Sequence, residues 1–186
     1  MEKLVLIDGH SILNRAFYGV PNLTNSEGLH TNAVYGFLNI LFKVLDEEKA
    51  DYLAVAFDLK APTFRHKMFD AYKGTRKPMP EELHEQVPLM KEVLTAMGVP
   101  ILTKEGYEAD DILGTIAKRE QKDGYEVTVL SGDRDLLQLS DTHIRICLPK
   151  TSRGTTEVHN YYPEDVIREY QVTPEQFIEV KALMGD

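Results

Sequence analysis

The chain lacks the residues that several common chemistries need. Of its 186 residues a single one, Cys147, is cysteine. An internal disulfide is therefore impossible, and nothing points to a cysteine-based zinc cluster. The sequence has no Gly-x-Gly-x-x-Gly and no Gly-Lys-Ser/Thr step, so the nucleotide-cofactor and P-loop readings have no phosphate cradle. It has no Gly-x-Ser-x-Gly elbow, the turn that exposes a serine nucleophile. The histidines are not paired at zinc-ligand spacing. No apolar run is long enough for a bilayer and no basic leader precedes the first apolar stretch, so a cytoplasmic protein is expected. In that setting Asn22-Leu23-Thr24 is a chance sequon. Internal repeats and low-complexity tracts are also missing, and the length suits one ordinary domain with its own core.

Basic residues are in short supply as well. Lys and Arg number 21 against 30 Asp and Glu, for a net charge of -9, which by itself argues against a polyanionic partner. Their placement argues the other way. Lys60, Arg65, Lys67, Lys73, Arg76 and Lys77 fall within one stretch whose only acid is Asp70. Such a stretch is either a solvated basic face or a local grip on a polyanion, and charge alone does not choose between them. Being long, polar and closed by prolines, residues 60–80 are expected to be the most mobile segment.

What the chain does have is hydrophobic strands that run into acids. Leu4-Val5-Leu6-Ile7 leads to Asp8, Leu53-Ala54-Val55-Ala56-Phe57 to Asp58, and Val127-Thr128-Val129-Leu130-Ser131-Gly132 to Asp133. Helix-like stretches alternate with these, which predicts an α/β fold with a mostly parallel twisted sheet flanked by helices. Helices are expected over Ser11 to Tyr18, from a Thr31 cap onward, from Pro80 to Met97, through Asp110 and Ala117 to a stop near Gly124, and near Pro163 and Pro174. Leu23 to His30 reads as a loop, Ile101-Leu102 as a weak strand, and Ile144 to Leu148 with Thr156 to Val158 as a late strand pair. Cys147 falls mid-strand as a small core residue.

Parallel strands place their C-termini along one sheet edge, where converging carboxylates repel one another unless cations hold them. Asp8, Asp58, Glu108, Asp110, Asp111, Asp133, Asp135 and the terminal Asp186 make up the candidate set. Hard cations such as Mg²⁺ take oxygen ligands, and two of them about 3.5–4 Å apart can activate water and stabilise a leaving oxygen in phosphodiester cleavage. Glu108 and Asp111 share a helix face while Asp110 points elsewhere. For any one of these acids taken alone, simple helix capping is the better explanation. It does not explain an acid after three separate hydrophobic strands. His10, close to Asp8, either bonds to backbone or touches the site.

The ordered motifs resemble a known family. Ile7-Asp8-Gly9-His10, Arg15-Ala16-Phe17, Val34-Tyr35-Gly36-Phe37, Phe57-Asp58, Phe64-Arg65-His66, Tyr72-Lys73-Gly74-Thr75-Arg76, Gly106-Tyr107-Glu108-Ala109-Asp110-Asp111 and Gly132-Asp133-Arg134-Asp135 resemble the 5′-nuclease domain of bacterial DNA polymerase I. That family belongs with the flap endonucleases and is similar in its core to PIN-type nucleases. The resemblance implies a two-ion Mg²⁺- or Mn²⁺-dependent 5′-3′ exonuclease and flap endonuclease. Its partners would be nicked or branched DNA with a 5′ flap and RNA primer-DNA hybrids, and the chain would act as a monomer. It assigns Asp8, Glu108, Asp110, Asp111, Asp133 and Asp135 to the metal site, with Asp58 beside it and Asp186 as the first of a late pair. Lys73 and Arg76 would act on the scissile phosphate from a basic arch over about 60–80. Arg15 and Arg65 would hold phosphate, and Phe17 and Tyr18 would contact the displaced strand, with one of the two buried.

The family continues past the Gly185-Asp186 step into a second acid and a duplex-gripping helical region, then a polymerase. Residues 163–186 are therefore expected to be the start of a helical region that is truncated here, with weak, salt-dependent DNA affinity and one loosely held metal. Competing readings are a PIN-like ribonuclease and a DNA-binding fragment without turnover. A haloacid-dehalogenase-type phosphatase needs an acid two residues after Asp8, where His10 stands.

Overall fold

A computed structural model describes residues 1–74, 77–152 and 155–184. The alternation of apolar strands and amphipathic helices gives β1 (Lys3–Asp8), α1 (Gly9–Gly19), α2 (Asn32–Glu48), β2 (Tyr52–Ala56), α3 (Phe64–Met68), α4 (Glu81–His84), α5 (Gln86–Ala96) and β3 (Ile101–Leu102). After these come α6 (Ala109–Lys122), β4 (Glu126–Leu130), a 3-10 turn (Arg134–Leu139), β5 (Ile144–Ser152), β6 (Thr155–Tyr161), α7 (Pro163–Tyr170) and α8 (Phe177–Leu183). The strands form one sheet in the order β3-β2-β1-β4-β5-β6. Its pairs are parallel up to β5, and β6 returns antiparallel. β1 is the centre, and its apolar run is buried on both faces, as a central parallel strand requires.

Side chains alternate across that strand. Val5 and Ile7 join the core under α1, α2 and α5, with Phe37, Leu41, Met90 and Leu94. Leu6 joins the second core under α6 and the C-terminal helices, with Leu113, Leu136, Val166 and Phe177. Asp8 continues the Leu6 parity, which sends its carboxylate to the α6 side of the sheet edge. Cys147 is buried in β5, and burial pushes its thiol up to about 12.

Several expectations need correction. The Pro80 to Met97 helix is two helices, because Pro88 cannot donate to the His84 carbonyl and the turn at Glu85 absorbs the break. Thr31 does not cap α2 with its side chain; its hydroxyl donates to the Leu23 carbonyl at 3.4 Å. The α2 amides of Ala33 and Val34 are taken instead by Gln86 Oε1, at 2.7 and 3.2 Å. Asp58 lies beyond the end of β2 and Asp133 beyond β4, so only Asp8 of the three strand-end acids belongs to its ladder. Residues 60–80 hold a short helix, α3, that the polar composition did not announce. β5 and β6 are longer than expected because they pair with each other along an antiparallel register, Ile146 opposite Tyr161 through Ser152 opposite Thr155. Among the described residues no helix is long and apolar enough to cross a membrane.

Candidate metal centre

Each acid is set in place by the element that carries it. Asp8 ends β1 and caps α1: Oδ1 accepts the Ser11 amide at 3.1 Å, and Oδ2 accepts the Ser131 hydroxyl at 2.9 Å. Asp133 caps the 3-10 turn, with Oδ1 accepting the Asp135 amide at 2.9 Å. Glu108 caps α6 in a reciprocal box with Asp111, whose Oδ2 accepts the Glu108 amide at 3.0 Å. Asp58 reaches across from β2, and its Oδ1 accepts the amide of Ala109, the first residue of α6, at 2.7 Å. Capping and clustering are therefore one arrangement. The positive ends of two helices and a 3-10 turn face the acids and offset part of their repulsion.

The cluster is electrostatically costly. Burial pushes the Asp8 carboxyl up to about 6, adding to the repulsion of Asp58 and Asp133, against the lowering effect of Ser11 and Ser131. Asp110 is pushed up to about 8, by burial first and then by Asp8, Asp133 and Asp58. Asp110 is therefore the acid that meets the strand-end carboxylates, while Glu108 and Asp111 turn toward the basic segment. Arg65 grips Asp111 with two bonds of 2.8 Å and holds its carboxyl below the usual range. Arg65 also lies 3.4 Å from Glu108 Oε2. Lys73, at a left-handed φ of 55°, places its ammonium 2.7 Å from Glu108 Oε1, and the Tyr72 hydroxyl donates to Oε2 at 3.1 Å. Lys181 of α8 pairs with Asp135 at 2.9 Å.

Two cavities flank the Lys73–Glu108 contact. One of about 890 Å³ runs past Arg65, Tyr72, Asp111, Asp135 and Gln138. The other, about 540 Å³, is lined by Asp8, His10, Asn14, Tyr18, Asp58 and Lys77. Lys73, Glu108, Asp110 and Asp133 border both.

The expected site residues are distributed as follows. Asp8, Asp58, Asp110 and Asp133 act on one another, and Glu108 and Asp111 adjoin them on the α6 turn. Asp135 stands at the edge of the larger cavity. Arg76 and Asp186 lie outside the described residues. Arg15 donates to the Gly132 carbonyl at 3.2 Å, which braces the turn that carries Asp133. Phe17 packs on the core, whereas Tyr18 is 69% exposed, edge-on to it at 5.1 Å. Burial depresses the His10 imidazole, against the raising effect of Asp58. Sequence reasoning gave no role to Ser11, Ser131, Tyr72 or Lys181. The two serines had a weak signal, being small polar residues beside strand-end acids, but Lys181 had none. Among the described residues no three His, Cys, Asp or Glu side chains are already spaced to hold a metal ion. Arg65, Lys73 and Lys181 and the capped amides occupy those oxygens. The donors all suit a hard cation, being carboxylate oxygens, and two of them are buried with raised proton affinity.

A profile described as the 5′-3′ exonuclease, N-terminal resolvase-like domain matches residues 3–171. The chain belongs to this 5′-3′ exonuclease family. DNA polymerase I of Bacillus caldotenax is 50% identical over 185 residues, which is all of this chain and 21% of that one. DNA polymerase I of Bacillus subtilis (strain 168) gives 50% over 185 residues, with the same shares. The exonuclease-family chain thus spans about a fifth of the length of the curated relatives it matches. Among solved structures, a T5 protein co-crystallised with metal ions superposes with a TM-score of 0.75 at 24% identity, covering 100% of this chain and 66% of that one. The T5 flap endonuclease solved with DNA and metal ions gives 0.70 at 22%, covering 100% and 67%. These superpositions show a shared fold.

Proposed function

We propose that this exonuclease-family chain is a divalent-metal-dependent 5′-3′ exonuclease and 5′-flap endonuclease core. It would act on branched or nicked DNA and on RNA primers paired to DNA, as a cytoplasmic monomer serving replication and repair. The observation that carries this reading is the cluster of Asp8, Asp58, Asp110 and Asp133 at the sheet edge, where burial and mutual repulsion raise carboxyl pKa values. Asp8, Asp110 and Asp133 would hold one ion. Glu108, Asp111 and Asp135 would join after exchanging Lys73, Arg65 and Lys181 for metal, and Asp58 and Asp186 would stand at the margin. Mg²⁺ or Mn²⁺, two ions in all, would supply an activated water and a positive field at the scissile phosphate.

The remaining roles belong to the chain itself. Lys73 and Arg65, once displaced from Glu108 and Asp111, present charged donors suited to phosphate oxygens, and Arg76 would add a third. Residues 60–80 would form an arch over the two cavities. The exposed Tyr18 ring borders the smaller cavity and offers a stacking face that does not discriminate among bases. Phe17 supports it from the core, and Arg15, which donates to the Gly132 carbonyl beside Asp133, would hold phosphate. Residues 163–186 would begin the helical region that reaches the duplex.

The test is incubation with 5′-flap DNA in Mn²⁺ at low salt, beside an Asp110→Asn variant. Cleavage near the flap junction that the variant abolishes is the expected result. Binding without turnover in any metal would recast the chain as a DNA-binding fragment. Cleavage confined to single-stranded RNA would favour a PIN-like ribonuclease.

A further inference from the structure

We propose that His10 is a positioning residue for the acid cluster, fixing the backbone of Asp58 so that this carboxylate bridges to the N-terminus of α6. The proposal rests on the metal-centre reading above. The β2 ladder stops at Ala56, and Phe57 makes one further bond, from its amide to the Leu102 carbonyl at 2.9 Å. Asp58 is therefore past the reach of the sheet, and its amide bonds to a side chain instead. His10 Nδ1 accepts that amide at 3.2 Å. An acceptor at Nδ1 puts the imidazole proton on Nε2.

The ring that does this is itself held. His10 stands in the first turn of α1, edge-on to Phe57 at 5.3 Å and 79°. The ammonium of Lys91 lies 4.9 Å from the centre of the same Phe57 ring. The preceding residue leaves no slack, since a Cβ on Gly9 would stand 2.5 Å from Phe57. One bond thus joins the helix that Asp8 caps to the segment that carries Asp58. From Asp58, Oδ1 continues to the Ala109 amide at 2.7 Å, and α6 carries Asp110 and Asp111 onward. An apolar side chain in place of His10 would release the Asp58 amide to water and leave Asp58 tied to α1 only through the neighbouring Phe57.

The experiment compares wild type, His10→Leu and His10→Asn for Mn²⁺ affinity by calorimetry and for amide exchange at Asp58 by NMR. Outer contacts that orient metal ligands are typically worth about ten- to a hundredfold in affinity. His10→Leu should therefore bind Mn²⁺ about tenfold or more weakly and speed Asp58 exchange. His10→Asn, which keeps an acceptor, should restore both. Wild-type affinity in a folded His10→Leu overturns the proposal. Should the leucine variant fail to melt cooperatively, the asparagine variant decides: affinity near wild type supports the proposal, and a tenfold loss with an intact fold overturns it. If wild type itself takes no Mn²⁺, the metal-centre reading fails and this inference falls with it, an outcome distinct from failure of His10 alone.

Discussion

Asp8 and Asp110 keep their protons in the fold at pH values where an ordinary aspartate, near 3.8, has lost its own; their folded values are about 6 and about 8. A folded value raised above the unfolded one contributes stability that is complete below about pH 4 and is lost as pH climbs through the folded value. The metal-free protein should accordingly lose stability from these two groups between pH 4 and about 8. Asp110→Asn isolates the larger share. Its melting temperature should match wild type near pH 4 and exceed it by roughly 3 °C or more at pH 9. Equal melting curves at both pH values would mean that the carboxyl is better solvated than its burial indicates. Asp111 behaves oppositely, because Arg65 lowers its pKa, so carboxylates within one helical turn respond to acid in different senses.

Among the elements, the join between α1, α2 and α5 rests on two amide side chains. Gln86 takes the first amides of α2 with its oxygen and donates to Asn32 Oδ1 at 3.0 Å and to the Glu82 carbonyl at 2.8 Å. Asn32 in turn donates to the Phe17 and Val20 carbonyls at the end of α1. Replacing Gln86 with Leu strands several buried polar groups at once. A loss of about 2–4 kcal/mol, read as a lower urea midpoint, is expected. This cap also shows what the sequence could reveal and what it could not. The strands, the parallel sheet and α6 with its acids were legible, because period and apolar runs are local signals. Thr31 was the reasonable local cap, yet the group that serves α2 lies 53 residues along the chain from Ala33. The split at Glu85 was legible in principle from Pro88. That Asp8, Asp58 and Asp133 would approach one another was legible from the strand ends. That Lys73 and Arg65 would sit on Glu108 and Asp111 was not, since it depends on where the basic segment folds back.

For the molecule as a whole, a net charge of -9 with a buried acid cluster predicts that bound cations would stabilise the fold. At a hundredfold excess over its dissociation constant, a bound ion adds about 2.7 kcal/mol, which for a chain of this size means a melting rise of roughly 5–10 °C. Mn²⁺ should produce that rise where NaCl of equal ionic strength does not, and scanning calorimetry would show it. An unchanged transition at millimolar Mn²⁺ would count against an assembled centre. The sheet order carries a different consequence, one of timing. The earliest of the six strands in this sheet lies in its middle, and its Asp8 closes on Ser131 across 123 residues. At a synthesis rate of about 5–20 residues per second, β1 waits roughly 6–25 s for β4. Until then its apolar flank has no second neighbour. Such distant pairing is slow to search for, so the acid cluster assembles only after β4 has been made, and the strand that anchors it depends on α1 and α2 for shelter in the meantime.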